Sequence, residues 1–222
     1  MQSVCLFYRR NRYEKNYVKN SLKSYLIIFL WGIFAGVATR LTDFFRADTL
    51  WSFSSVATLF GFWILSVAVI VLFSTSNVCA GVSTFLYMFG MTLSFYGLQY
   101  LLGFWLPRFD NDGFKTSLFL LYTCLSVGCG VGAFVLFFWE RWRKLGAVLY
   151  ALPVGALMAE AVGVGVYLVK NSTYLFQFLL DALAAVVLGI LFYQRNACKA
   201  IYTVSVVAVT AAVYFFIYYP FL

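Results

Sequence analysis

About seven stretches of roughly twenty predominantly apolar residues follow one another along this chain, the length a helix needs to cross a bilayer. They run over residues 25–44, 54–73, 80–102, 117–138, 145–169, 173–193 and 199–221. Hydrocarbon offers no water to an open backbone, so each stretch must close its own hydrogen bonds as helix. The expected fold is therefore all-α, a polytopic transmembrane helical bundle of about seven spans. Connections are short, which makes sequence neighbours antiparallel neighbours in space. The first stretch is the weakest, because Arg40 interrupts it. It either ends there or continues with Arg40 and Asp43 turned toward protein.

Only 11% of residues are charged and 64% are apolar, against about 25% charged in soluble domains. Little chain is left outside the apolar stretches, so residues 1–24 are expected to form a basic cytoplasmic segment and 25–222 a single transmembrane domain. The net charge of +8 lies mostly beside the spans, which argues against a nucleic-acid partner and for topology. An inside amino terminus puts Arg9, Arg10, Arg12, Lys15, Lys19, Lys23, Arg141, Arg143, Lys144, Arg195 and Lys199 in the cytoplasm, eleven of the sixteen basic residues. Arg40, Arg46, Arg108, Lys115 and Lys170 then lie outside, and seven spans leave the carboxyl terminus outside too. Gly36-Val37-Ala38 offers a small-x-small pattern for signal cleavage, but the long basic leader before it and Arg40 and Asp43 after it favour an anchored first span. The leader's Phe7, Tyr8, Tyr13 and Tyr17 also suit an interfacial segment on anionic lipid.

Two acids stand away from any segment end: Glu160 in the fifth stretch and Asp181 in the sixth. An ionisable group in hydrocarbon costs roughly 2.5–3.5 kcal/mol on insertion scales, so their retention calls for a reason. Glu160 lies about eleven residues before the turn near Asn171 and Asp181 about ten after it, which sets both about 15 Å from that turn. Facing each other in a low dielectric, they require a shared proton or a bound cation. The alternative is structural, a hydrogen-bonded carboxyl fixing helix packing. Arg40 snorkels to the interface, pairs locally with Asp43 or reaches inward as counter-ion or anion contact, and Gln99 and Gln177 add polar groups that bond another helix or line the same site.

Ala147, Ala151, Gly155, Ala159 and Gly163 recur every fourth residue, a small-residue ridge for close helix approach. Pro153 in the same stretch removes a backbone donor and is the expected kink of the helix that presents Glu160. Gly32 with Gly36, and Gly128, Gly130 and Gly132, are further helix-contact devices. Trp31, Trp51, Trp105, Trp139, Trp142, Tyr193 and Tyr219 fall near span ends, as interfacial belts do. Asp110-Asn111-Asp112-Gly113 resembles the start of a calcium loop but has Leu121 where the loop needs glutamate, and reads as a polar turn.

Histidine is absent, which removes histidine-ligated haem, HExxH zinc sites and Ser-His or Cys-His pairs. The five cysteines show no CxxC spacing. No metal or cofactor is expected, and an enzyme is disfavoured: there is no GxSxG and no GxGD at Asp181, which leaves acid/base work by the two carboxylates on a lipid as the catalytic option. The stretch Thr58-Leu59-Phe60-Gly61-Phe62-Trp63, with Phe85-Leu86-Tyr87-Met88-Phe89-Gly90-Met91 and Tyr96-Gly97, resembles small multipass bacterial membrane proteins of unknown function. The resemblance implies a bacterial cytoplasmic membrane and brings no site residues.

Two functions fit these residues. One is a helical protein in the lipid bilayer that binds or moves a small solute or ion through a polar site built from Glu160, Asp181, Arg40, Asp43 and Gln99. The other is an accessory or structural protein that associates with itself or a membrane partner through small-residue helix faces.

Overall fold

In the computed structural model, which describes residues 18–46, 48–105 and 113–221, helices follow one another along the chain. Helix α1 (Leu22–Leu41) is prolonged by a 3-10 turn (Thr42–Phe44), and α2 (Ser55–Thr58) is a single turn. Then come α3 (Gly61–Phe73), α4 (Asn77–Gly103), α5 (Thr116–Leu136), α6 (Arg143–Asn171), α7 (Leu175–Arg195) and α8 (Lys199–Val213). A π-helical segment (Tyr214–Tyr218) continues α8. Among the described residues the only β-structure is an isolated bridge between Val18 and Ser74. The basic stretch ahead of Val18 and the acidic turn at Asp110 and Asp112 lie outside the described residues.

Among the described residues, six helices are long and apolar enough to cross a membrane. Their exposed faces are those of a lipid-facing protein: Leu22, Val169 and Phe216 are 76%, 85% and 83% exposed. Water penalises such apolar surface and hydrocarbon does not. The chain is an all-α, multi-span membrane protein.

The weakest and one of the clearest expected spans exchange roles. The first is a regular helix despite Arg40, because Nη1 of Arg40 donates to Asp43 Oδ2 at 2.7 Å, one turn on, within the helix's own end. The second, expected as one helix over 54–73, is broken. Only α3 is a sustained helix there, and its 13 residues make about 20 Å, well short of a hydrocarbon core of about 30 Å. Leu59, which closes α2, is extended at φ −97° and ψ 160°, so α3 starts afresh at Gly61. The chain ahead of it runs down beside α7: Leu50 accepts a hydrogen bond from the Leu175 N–H at 2.9 Å, and the Phe53 ring lies 4.9 Å from that of Phe176. Irregular backbone survives at membrane depth only where protein covers it, and Ser52 and Ser55 are buried as that requires.

The helices group into two compact units, Met1–Phe34 with Val69–Phe137 and Ala35–Ala68 with Phe138–Leu222. In the first, α1 meets α4 at bare backbone: a Cβ on Gly32 would overlap the Tyr87 carbonyl oxygen. Gly81 of α4 and Gly130 of α5 face each other in the same way, whereas Gly128 and Gly132 meet nothing within 4 Å. Buried Tyr96 and half-buried Phe29, Phe85, Phe89 and Phe119 meet in offset and edge contacts between these helices.

The second unit is built around α6. All five residues of the small ridge are buried, and at two of them the partner is α8 and its π-helical end: a Cβ on Gly155 would lie 2.7 Å from Val209, and one on Gly163 2.9 Å from Tyr218. Thr210 Oγ1 donates to the Gly155 carbonyl at 3.3 Å across the same seam. Pro153 sits inside α6, which runs unbroken from Arg143 to Asn171. Near the start of α6, Trp139 is 3% exposed, stacks on Tyr150 at 4.8 Å and lies tilted against Phe192 at 5.1 Å, so it is core and not interfacial belt.

Helices α6 and α7 join through a tight turn in which Ser172 and Tyr174 take positive φ, 54° and 71°. Ser172 closes α6 in the left-handed conformation, where glycine avoids a penalty of about 1 kcal/mol. Ser172→Gly should therefore raise the stability of the detergent-solubilised protein by roughly 0.5–1 kcal/mol, measured as a higher unfolding midpoint. A lowered midpoint would show that the serine side chain holds the turn.

Candidate functional site

The break before α3 leaves the amide groups at the head of that helix without intrahelical acceptors, and the start of a helix carries about half a positive charge. Inside a membrane each unsatisfied amide costs several kcal/mol, so something must face it. In the second unit Glu160 reaches across from α6 toward this helix head. The groups facing its carboxylate are the backbone N–H groups of Gly61 and Phe60 and the hydroxyl of Tyr218.

Asp181, from α7, completes the cluster. It lies within electrostatic reach of Glu160, and Tyr218 is within reach of both acids. Gly61 fixes the spacing. A Cβ there would overlap Asp181 Oδ1 and lie 3.0 Å from Gln177 Nε2, so only glycine lets the head of α3 come so close. Gln177, one turn before Asp181 on α7, donates from Nε2 to both carboxylate oxygens at 2.9 and 3.0 Å. Glu160, Gln177 and Asp181 are each 0% exposed. The common depth read from the α6–α7 hairpin thus becomes an actual meeting of the two acids, because both side chains turn toward the same helix end.

The cluster is rich in acceptors and poor in donors. Among the described residues, neither Glu160 oxygen nor Gln177 Oε1 has a hydrogen-bond partner of good geometry. Two carboxylates carry up to two negative charges here, and one helix head offsets only part of one. What balances this arrangement is a proton, which turns one acceptor oxygen into a donor, or a small cation bound by oxygen. Among the described residues no group of three acidic, cysteine or histidine side chains forms a metal site.

Of the other expected site residues, Arg40 and Asp43 pair with each other at the end of α1, and a helix head faces Glu160. Gln99 is half-buried on α4 and belongs to the other unit. Pro153 lies two turns before Glu160 on the helix that presents it. Gly61 and Tyr218 escaped the sequence reading. Nothing in an apolar run marks a glycine as touching an acid a hundred residues away, and Tyr218 is one of many carboxyl-terminal aromatics. Gln177 was legible in part: its four-residue spacing to Asp181 places the two on one face of a helix.

A large apolar groove, about 1090 Å³, opens between α6, α7 and α8, lined by Met158, Val162, Ala182, Val186, Ile190 and Val206 among others. Neither acid lines it. Compared with known proteins, the chain matches no family model, no curated protein and no solved structure.

Proposed function

We propose that this protein binds a proton at the Glu160–Asp181 pair and uses it to bind or move a small solute or ion through the membrane. The observation that carries the reading is the convergence of two fully buried carboxylates on the head of an interrupted membrane helix, with acceptor oxygens left over. Interrupted helices whose ends face charge are how membrane carriers build ion sites at mid-depth. A proton suits the site better than a metal ion. Both oxygens of Asp181 are engaged by Gln177, Gly61 leaves no room beside them, and a helix head repels a cation. By the likeness of its Thr58–Trp63 stretch to small bacterial multipass proteins, we assign the same proposal a bacterial cytoplasmic membrane as its setting.

In the competing reading, an accessory protein associating through small-residue faces, the ridge of α6 packs within its own unit, and Gly128 and Gly132 of α5, which meet nothing within 4 Å, are small residues open to a partner helix.

Proton uptake decides the matter. Purified protein stepped from alkaline to acidic pH should take up at least one proton more than the Glu160→Gln, Asp181→Asn double variant, which should still insert and express. A carboxylic-acid infrared band should vanish in that variant. Equal uptake and an unchanged band would remove the proposal, and a double variant that fails to fold would favour the structural role.

A further inference from the structure

Helices α7 and α8 leave their common turn side by side and then part. Near the turn the Tyr202 hydroxyl donates to the Gly189 carbonyl at 3.1 Å. Further on, α8 follows the small ridge of α6 instead, with Val209 on Gly155 and Tyr218 on Gly163. What opens between α7 and α8 is the apolar groove, and α6 is its floor. Buried Ala161 and Ala185 lie at its base, while exposed Met158, Val162, Val186 and Ile190 stand along its rims. Along α7 it runs from Phe178 to Tyr193, roughly 22 Å at helical rise, which exceeds the roughly 15 Å of hydrocarbon in one leaflet.

The two ends of the groove differ in chemistry. Toward the α7–α8 turn it is lined by Lys199, Gln194 and Tyr193, all exposed, and Lys199 Nζ stands 4.9 Å from the centre of the Tyr193 ring. That cation–π contact holds an ammonium at the mouth of an apolar slot. At the far end Lys170 stands among Val169 and Phe178 without such polar company in the lining. Positive charge with hydrogen-bond donors at one end, and only apolar length behind it, complements an anionic amphiphile. A partner helix suits the groove less well, because the protruding rims keep it from the small residues at the base that close helix packing uses.

We propose that this groove is a binding site for one anionic phospholipid of the leaflet on the Lys199 side, its phosphate on the Lys199 ammonium and the Gln194 amide, and its tails laid along α6 between α7 and α8. Neither acid lines the groove, so the site stands whether or not Glu160 and Asp181 bind a proton.

The test titrates the purified, delipidated full chain in neutral detergent with phosphatidylglycerol and with phosphatidylcholine of the same tails, bound lipid being counted by native mass spectrometry. One phosphatidylglycerol should bind about fivefold or more tighter than phosphatidylcholine, the effect of one lysine at a membrane surface. Lys199→Gln should abolish that preference, and Lys144→Gln, exposed at the start of α6, should keep it. Ala182→Phe fills the groove far from Lys199 and should weaken both lipids several-fold. Where that variant does not fold, phosphatidylglycerol with short tails should bind the wild type several-fold more weakly than the long-tailed lipid. Equal binding of the two lipids overturns the proposal, as does a preference that survives Lys199→Gln or an affinity indifferent to both the filled groove and the tail length. Equal loss in Lys144→Gln would mark general surface charge and is equally fatal. A wild-type dimer that excludes added lipid would assign the groove to a second copy of the chain and overturn the lipid site.

Discussion

Gln177→Leu is expected to be the most damaging single change in the second unit, lowering stability by roughly 3–5 kcal/mol. Gln177 Nε2 supplies hydrogen bonds to both oxygens of Asp181, at 2.9 and 3.0 Å, and the carboxylate is fully buried. Leucine fills much the same volume but leaves a charge in a low dielectric with no donor, and losing one member of a buried polar pair is costly because the other stays behind. The double variant Gln177→Leu, Asp181→Leu should recover much of the loss, since replacing both partners by apolar groups leaves nothing unsatisfied. Thermal or chemical unfolding in detergent measures both, and the difference is the coupling between the two residues. A benign single substitution would mean that Asp181 does not depend on Gln177 to be buried, and the electrostatic description of the site would be wrong.

Gly61→Ala should be nearly as severe, for a steric reason. Its Cβ would occupy the position of Asp181 Oδ1 and crowd Gln177 Nε2, so either the carboxylate or the head of α3 must move. Moving the carboxylate breaks its bonds to Gln177 and strands buried polar groups, and moving the helix takes its positive end away from Glu160, with a loss of roughly 3 kcal/mol or more. The control is Gly97→Ala in α4, where a Cβ meets nothing within 4 Å. There the ordinary helix preference of alanine applies, and a gain of about 0.5–1 kcal/mol is expected. Unfolding midpoints that moved the same way in both variants would show that the close approach at Gly61 carries no energetic weight.

Much of the framework was legible because it follows from solvent. Apolar runs of spanning length dictate helices wherever water is absent, and the observed α4, α5, α6 and α7 match the expected stretches to within a few residues at each end. The pairing of Arg40 with Asp43 was one of three open readings, and helical spacing allowed it. The break at Leu59 was not legible. Residues 54–73 are apolar enough for a span, and no proline marks the interruption. Pro153, the expected kink, lies within a helix that runs from Arg143 to Asn171.

The sequence by itself determined that two acids lie at one depth, because helical rise converts residue number into distance with little latitude. Which way they face was decided by the tertiary structure, since azimuth depends on how α6, α7 and the end of α8 pack. The start of α3 was decided there too. A helix head in hydrocarbon calls for a group of opposite charge beside its open amides, and the carboxylate that faces it, Glu160, comes from a different part of the chain.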